Sequence, residues 1–249
     1  MYSDRIFTAV ALVVVFSLLL LGSSGVYSNS TTAEEETSVP LIDQKEYKVV
    51  KTATFALGCF WGPDARFGAL PGVIKTRVGY AGGSKENPTY RDLGDHTESV
   101  QIDYNPEEIS YEELLEVFWE SHNPTVGGFN RQYMNIAFYH NEAQKEAAME
   151  SKEELGEEYE DQIRTEIREL ENFYIAEDYH QKYKLKLSNL FSEEFERIYP
   201  DEKNLTDSTA AAKVNGYLSG YGSLESVRDN IGKLGLSERA QQRLLNMYE

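Results

Sequence analysis

Cys59 is the only cysteine in a chain of 249 residues, and it stands in the run Gly58-Cys59-Phe60-Trp61-Gly62. A thiol acts as a nucleophile or redox centre through its thiolate, which positive potential nearby stabilises. Val49 to Leu57 is rich in β-branched and apolar residues and reads as a strand. Cys59 to Ala69 then places Phe60, Ala65 and Ala69 on one helical face. The cysteine is therefore expected where a strand hands over to a helix, with the free N–H groups and dipole lowering its pKa. Gly58 permits the tight turn, and Phe60 and Trp61 offer an apolar wall suited to a methyl or methylene group. A lone cysteine also serves elsewhere as a small buried hydrophobe; the junction is what argues for chemistry.

The elements that must position this thiol follow from periodicity. Gly72 to Tyr80 reads as a second strand, and Val100, Ile102 and Tyr104 alternate through a third, Ser99 to Tyr104. Ser110 followed by Glu113 has the capping-box spacing and opens a helix carrying Leu114, Leu115, Val117, Phe118 and Trp119. Met134 to Tyr139 reads as a strand, Asn141 opens a long helix to about Glu158, and Arg164 to Leu170 returns as strand. Helices are expected at Glu177 to Leu190, Thr209 to Leu218, Leu224 to Lys233 and Ser237 to Tyr248. Interleaved strands and helices imply an α+β sandwich with helices packed on a mixed sheet. No internal repeat is present.

Composition narrows the function. The net charge of −18 disfavours a nucleic-acid or anionic-membrane surface, and the excess acid concentrates between Glu142 and Glu171, as on a solvated face. The same charge is expected to disfavour acidic protein substrates electrostatically. A single cysteine excludes a disulfide framework and Cys-rich metal sites. His96, His122, His140 and His180 show no metal-ligand spacing, and Gly79 to Gly83 lacks dinucleotide or P-loop spacing, so no metal and no bound nucleotide is expected.

The N-terminus carries an address. Ile6 to Leu21 is apolar apart from Thr8 and Ser17, follows Arg5 and precedes small residues. This reads as a secretory signal peptide (1–28), cleaved after Gly25 or Ser28, or retained as an N-terminal anchor. Residues 29–46 read as a disordered acidic linker. Asn29-Ser30-Thr31 and Asn204-Leu205-Thr206 match the glycosylation acceptor pattern.

Five ordered motifs carry a resemblance. Gly58 to Gly62, then Val78-Gly79-Tyr80-Ala81-Gly82-Gly83 with Asn87-Pro88-Thr89-Tyr90, then His96-Thr97-Glu98, Gln132-Tyr133 and Ala176-Glu177-Asp178-Tyr179-His180-Gln181 occur in turn. Together they resemble the peptide-methionine (S)-S-oxide reductases, the A-type methionine sulfoxide reductases, over about Thr52 to Tyr183. The resemblance implies a catalytic domain at 47–200 and a helical extension at 201–249 packed on it. The expected fold is α+β, a two-layer sandwich of mixed sheet and helices with a ferredoxin-like core plus C-terminal helices.

What the resemblance implies for chemistry is specific. Cys59 attacks the sulfoxide sulfur while Phe60 and Trp61 grip the S-methyl group. The departing oxygen needs a proton, for which Glu98 is the natural acid if burial raises its pKa. Tyr90 and Tyr133 donate hydrogen bonds to the same oxygen. Cys59 is left as a sulfenic acid. Many family members resolve it with a second, C-terminal cysteine; without one, the reductant must be an external thiol such as thioredoxin, glutaredoxin or a small thiol. The partners are thus oxidised proteins or free methionine sulfoxide and a thiol reductant, with the chain acting as a monomer.

Departures from the family pattern lie around the site. Met134 and Asn135 follow Tyr133 where arginine and serine are usual. The loop Val126 to Arg131 is shortened and lacks the family's aspartate, with Asn130 nearby, while Asp95 and Thr97 replace a glycine and an alanine. A non-catalytic binder of oxidised methionine and a single-cysteine peroxide sensor are the competing readings. A binder needs no acid and a sensor needs no methyl pocket, which favours turnover.

Overall fold

Six strands form one mixed sheet in the computed structural model, which describes residues 39–159 and 162–249. The expected signal segment, 1–28, and residues 29–38 of the expected linker lie outside the described residues. The strands are β1 (Lys51–Leu57), β2 (Val73–Ala81), β3 (Thr97–Tyr104), β4 (Asn135–Tyr139), β5 (Glu166–Glu169) and β6 (Phe173–Ile175). Their order is β5-β4-β1-β3-β2-β6, with β4 and β5 parallel and the other neighbours antiparallel. Helices α1 (Trp61–Gly68) and α2 (Tyr111–Glu120) connect them so that β1-α1-β2-β3-α2-β4 traces the split βαβ path of a ferredoxin-like core. The α+β expectation holds.

Alternation decides which side chains meet which layer. Ala53 and Phe55 of β1 join Val100, Ile102, Phe67, Leu114 and Phe118 beneath the helices. Ala56 faces the other side of the sheet with Ala81, Ile136 and Phe138. The Phe55 ring stacks on Phe118 at 4.9 Å and on Phe67 at 5.4 Å. At the start of α2 the capping box is complete: Ser110 Oγ accepts the Glu113 N–H, and Glu113 Oε2 accepts the Ser110 N–H.

The chain closes with α3 (Glu142–Glu158), α4 (Tyr183–Lys186), α5 (Asn189–Ile198), α6 (Glu202–Thr206), α7 (Thr209–Tyr217), α8 (Leu224–Ile231) and α9 (Glu238–Leu245). The last helices share a core in which Phe191, Phe195, Val214, Tyr217 and Leu244 are sealed. α7 crosses α1 at two glycines. A Cβ on Gly216 would stand 2.5 Å from the Ala65 carbonyl oxygen, and one on Gly68 would stand 2.6 Å from that of Ala212.

Beneath α1 lies a buried ion pair. Lys182, itself at a left-handed φ of 51°, reaches Asp64 Oδ1 at 3.2 Å, while Asp64 Oδ2 accepts Asn215 Nδ2–H at 3.1 Å. Asp64 also accepts the Thr76 hydroxyl and the Lys182 N–H. This network ties β2, α1 and α7 to the segment that leads into α4.

Three expectations are corrected. Glu177 to Leu190 is not one helix but a 3-10 turn, Asp178–His180, followed by the break at Lys182 and then α4. Gln181 spends its side chain on the Val78 N–H and on the Val78 and Ala176 carbonyls, and these tertiary bonds override helix periodicity. The linker is not unstructured to residue 46: Leu41–Gln44 forms a 3-10 turn. There Asp43 accepts the Tyr199 hydroxyl, the Ser208 hydroxyl and the Ala210 N–H. The first helix begins at Trp61 rather than Cys59.

Candidate active site

β1 ends at Leu57, and Gly58 turns the chain with a φ of 68°. No atom lies within 4 Å of a Cβ built there, so the requirement is for backbone conformation and not for space. Cys59 follows, exposed, and Phe60 caps α1.

The Trp61 backbone N–H points at the Cys59 sulfur and lowers its pKa, as does the Lys184 charge. Although the residue is exposed, the atoms crowding its sulfur desolvate it, which outweighs both; the Glu98 charge adds to this, and the thiol is held above its ordinary range. This corrects the expected lowering. A single turn of N–H groups does not offset desolvation beside a carboxylate.

Glu98 stands on β3, 1% exposed. Its Oε2 accepts the Phe60 N–H at 3.1 Å and its Oε1 accepts the Gln132 amide at 2.7 Å. Burial pushes its pKa up, and the two hydrogen bonds only partly counter this. Gln132 is the residue that sequence reasoning left without a role. Its position before Tyr133 was visible, but its bond to Glu98, 34 positions away, was not.

Tyr133 closes a 3-10 turn, Arg131–Tyr133, whose start is capped by Asn130. Its phenol is turned toward Glu98, Tyr90 and Cys59, and burial followed by the Glu98 charge pushes its pKa up to about 12. Tyr90 lies on the loop between β2 and β3, its N–H given to Glu177 Oε1 at 3.1 Å. Glu177 also accepts the Tyr80 hydroxyl at 2.7 Å.

The two loops carrying these tyrosines are locked by Asp95, Arg131 and Thr97. Asp95 accepts the Ser84 N–H at 2.8 Å, the Ser84 hydroxyl and the Lys85 N–H. These bonds hold its carboxyl down at about 2. Arg131 bridges the loops, giving Nε–H to the Asp95 carbonyl and Nη2–H to the Gly82 carbonyl, both at 2.6 Å. Thr97 brackets Tyr133, donating to the Gln132 carbonyl and accepting the Met134 N–H.

The apolar wall divides into a sealed half and an open half. Phe60 is 1% exposed and meets His180 edge-on at 5.0 Å. Trp61 stacks flat on Tyr183, 3.6 Å between centroids and 4° between planes, and gives its indole N–H to His180 Nδ1 at 3.2 Å. Cys59, Phe60, Trp61, Glu98, Tyr90 and Tyr133 are thus gathered on four neighbouring segments. Among the described residues no group of three or more His, Cys, Asp or Glu side chains is placed to hold a metal ion.

Residues 51–213 match the family model described as peptide methionine sulfoxide reductase. The chain belongs to this family. The match runs past residue 200, the boundary drawn from sequence, into α7. A peptide methionine sulfoxide reductase of Drosophila melanogaster is 43% identical over 86% of this chain and 87% of its own length. The peptide methionine sulfoxide reductase MsrA of Methanococcoides burtonii is 46% identical over 55% of this chain and 97% of its own. Among solved structures, reduced Mxr1 of Saccharomyces cerevisiae superposes with a TM-score of 0.53 at 31% identity, covering 57% of this chain and 88% of that one.

Proposed function

We propose that the chain reduces methionine S-sulfoxide, free or in proteins, to methionine, and that an external thiol restores its cysteine. Family membership supports the reaction class. The observation that carries the residue roles is the Glu98 carboxyl bonded to the N–H of Phe60, the residue next to Cys59.

A raised carboxyl pKa and a raised thiol pKa make one proton the quantity that matters. The thiol with an ionised Glu98 and the thiolate with a neutral Glu98 hold the same number of protons. The second arrangement reacts: the thiolate attacks the sulfoxide sulfur, and neutral Glu98 is placed to protonate the oxygen as the S–O bond breaks. Tyr133, with its high pKa, stays protonated and donates to that oxygen together with Tyr90. Trp61 supplies the open face for the S-methyl group and Phe60 backs the turn. The attack forms a sulfur–sulfur bond as the once-protonated oxygen leaves as hydroxide; its addition to Cys59 Sγ then breaks that bond, releasing methionine as the leaving group and oxidising Cys59 to the sulfenic acid.

Regeneration balances with two equivalents of thiol. The first condenses with Cys59 sulfenic acid, forming a mixed disulfide and releasing water; the second exchanges, returning the Cys59 thiol and leaving the reductant as a disulfide. Cys59 being the sole cysteine, both equivalents come from outside. The apolar run Ile6 to Leu21 supports entry into the secretory pathway, by a cleaved signal or an anchor. N-terminal sequencing of the protein from its host tests that placement.

The test of activity uses the separate S and R epimers of a blocked methionine sulfoxide, with dithiothreitol as reductant. Turnover of S alone, abolished by Cys59→Ser, is expected. Reduction of neither epimer by the folded chain, or equal reduction of both, contradicts the proposal.

A further inference from the structure

Three lysines alternate at the start of α4, and their fates differ. Lys182 is buried against Asp64. Lys186 is tied to Glu202 at 2.6 Å and to the Asp178 carbonyl. Lys184, half-buried between them, has no carboxylate within 4.0 Å among the described residues. Its neighbour Tyr183 is the ring stacked on Trp61, so the open apolar wall and this cation are carried by consecutive residues of one short helix.

We propose that Lys184 selects substrates in which a carboxylate lies next to the methionine sulfoxide, by pairing with that carboxylate while the S-methyl group rests on Trp61. The proposal rests on the reductase reading above and adds the substrate class. Lys184 is close enough to the cysteine for its charge to act on the thiol. Glu98 and Glu177 are already engaged, Glu98 by Phe60 and Gln132, Glu177 by Tyr80 and Tyr90. Among the described residues Lys184 is open to an incoming anion. Arg91 is the other cation near the mouth, exposed on the loop of Tyr90 and facing Tyr179.

The inference reverses a long-range expectation. A net charge of −18 repels acidic substrates at a distance, but salt screens that field beyond about 10 Å. At contact the charge carried beside the substrate acts inside that distance, and Lys184, next to the Tyr183 ring stacked on Trp61, supplies a positive one. The carboxylate has two sources, a flanking Asp or Glu side chain or the chain-terminal carboxylate of the sulfoxide residue itself.

The experiment measures kcat/KM on the full chain with blocked methionine sulfoxide peptides. The neighbour is Asp, Gln or Lys, and a further pair ends in a free carboxylate or an amide. The readout is the ratio of acid to neutral substrate within each variant, so any general change in thiol reactivity cancels. The wild-type ratio is expected at about three to ten, typical of a partly exposed charge-assisted pair, and carried by KM. Lys184→Gln brings it to about one, Lys184→Glu inverts it and Lys184→Arg keeps it. Preference in only the Asp arm or only the terminal-carboxylate arm assigns the source. No preference in the wild type, or one that survives Lys184→Gln and is lost in Arg91→Gln, overturns the proposal. Absence of S-sulfoxide reduction with every peptide would instead overturn the reductase reading.

Discussion

The Glu98 carboxyl accepts the backbone N–H of Phe60 at 3.1 Å, so the acid is held on the same turn that carries Cys59. Its second oxygen is held by Gln132, on the turn that carries Tyr133. One side chain therefore joins the nucleophile's turn to the turn of a tyrosine donor. Any change in its charge is felt at the thiol.

Glu98→Gln keeps the shape and removes both the acid and the charge. The rate of sulfoxide reduction is expected to fall by about 10²–10⁴-fold, the usual worth of a positioned general acid. The Cys59 thiol pKa falls as well, because the ionised carboxylate that helped raise it is gone. Stopped-flow reduction together with thiolate absorbance reads both. A lower rate with an unchanged thiol pKa would break the coupling.

The pH profile of kcat/KM follows from the same pair. The reactive form has neutral Glu98 and ionised Cys59, the reverse of their order of titration. Activity then falls below the carboxyl pKa and above the thiol pKa, giving a bell. Its acid limb lies above the ordinary glutamate value of 4.5 and its alkaline limb above the ordinary cysteine value of 9.0. Glu98→Gln removes the acid limb at that position, leaving a rate that rises until the thiol is ionised. A wild-type profile flat through the acid limb would contradict the assignment of Glu98.

Stability at the α1–α7 crossing depends on a missing side chain. Gly216→Val places a Cβ 2.5 Å from the Ala65 carbonyl oxygen and is expected to cost about 1–3 kcal/mol. Gly232→Ala, where nothing lies within 4 Å and φ is −72°, is expected to be neutral or slightly stabilising. Urea denaturation separates the two. Equal midpoints would mean the helices yield at the crossing.

The buried pair under α1 gives the largest single effect. Asp64→Ala leaves Lys182 without its counter-charge and is expected to destabilise by about 3–5 kcal/mol. Asp64→Leu with Lys182→Met removes both charges and is expected to recover much of that loss, read by the same denaturation curves. A double variant no better than Asp64→Ala would locate the cost in the hydrogen bonds to Thr76 and Asn215.

What was legible in the sequence was local. The capping box at Ser110 and Glu113 formed as its spacing implies, and β1 and β3 showed their faces by alternation. The six site residues came from motifs, since nothing local separates Glu98 or Tyr133 from surface residues of the same type. What was not legible depends on partners distant in the chain. β6 has three residues, too few for a periodic signal, and exists because Gly79 to Ala81 pair with it. The break at Lys182 needs Asp64, 118 positions away. The direction of the Cys59 shift needs the packing of everything around the sulfur, which helix position alone does not report.

The most direct measurement is a single turnover without reductant. The full chain is mixed with excess methionine S-sulfoxide and no thiol, and the methionine formed is counted per chain while Cys59 is trapped with a sulfenic-acid reagent. One methionine and one trapped sulfenic acid per chain are predicted, with turnover resuming on addition of an external thiol and none in Cys59→Ser. Methionine formed by the Cys59→Ser chain, or sustained turnover by the wild type with no thiol present, would contradict the account.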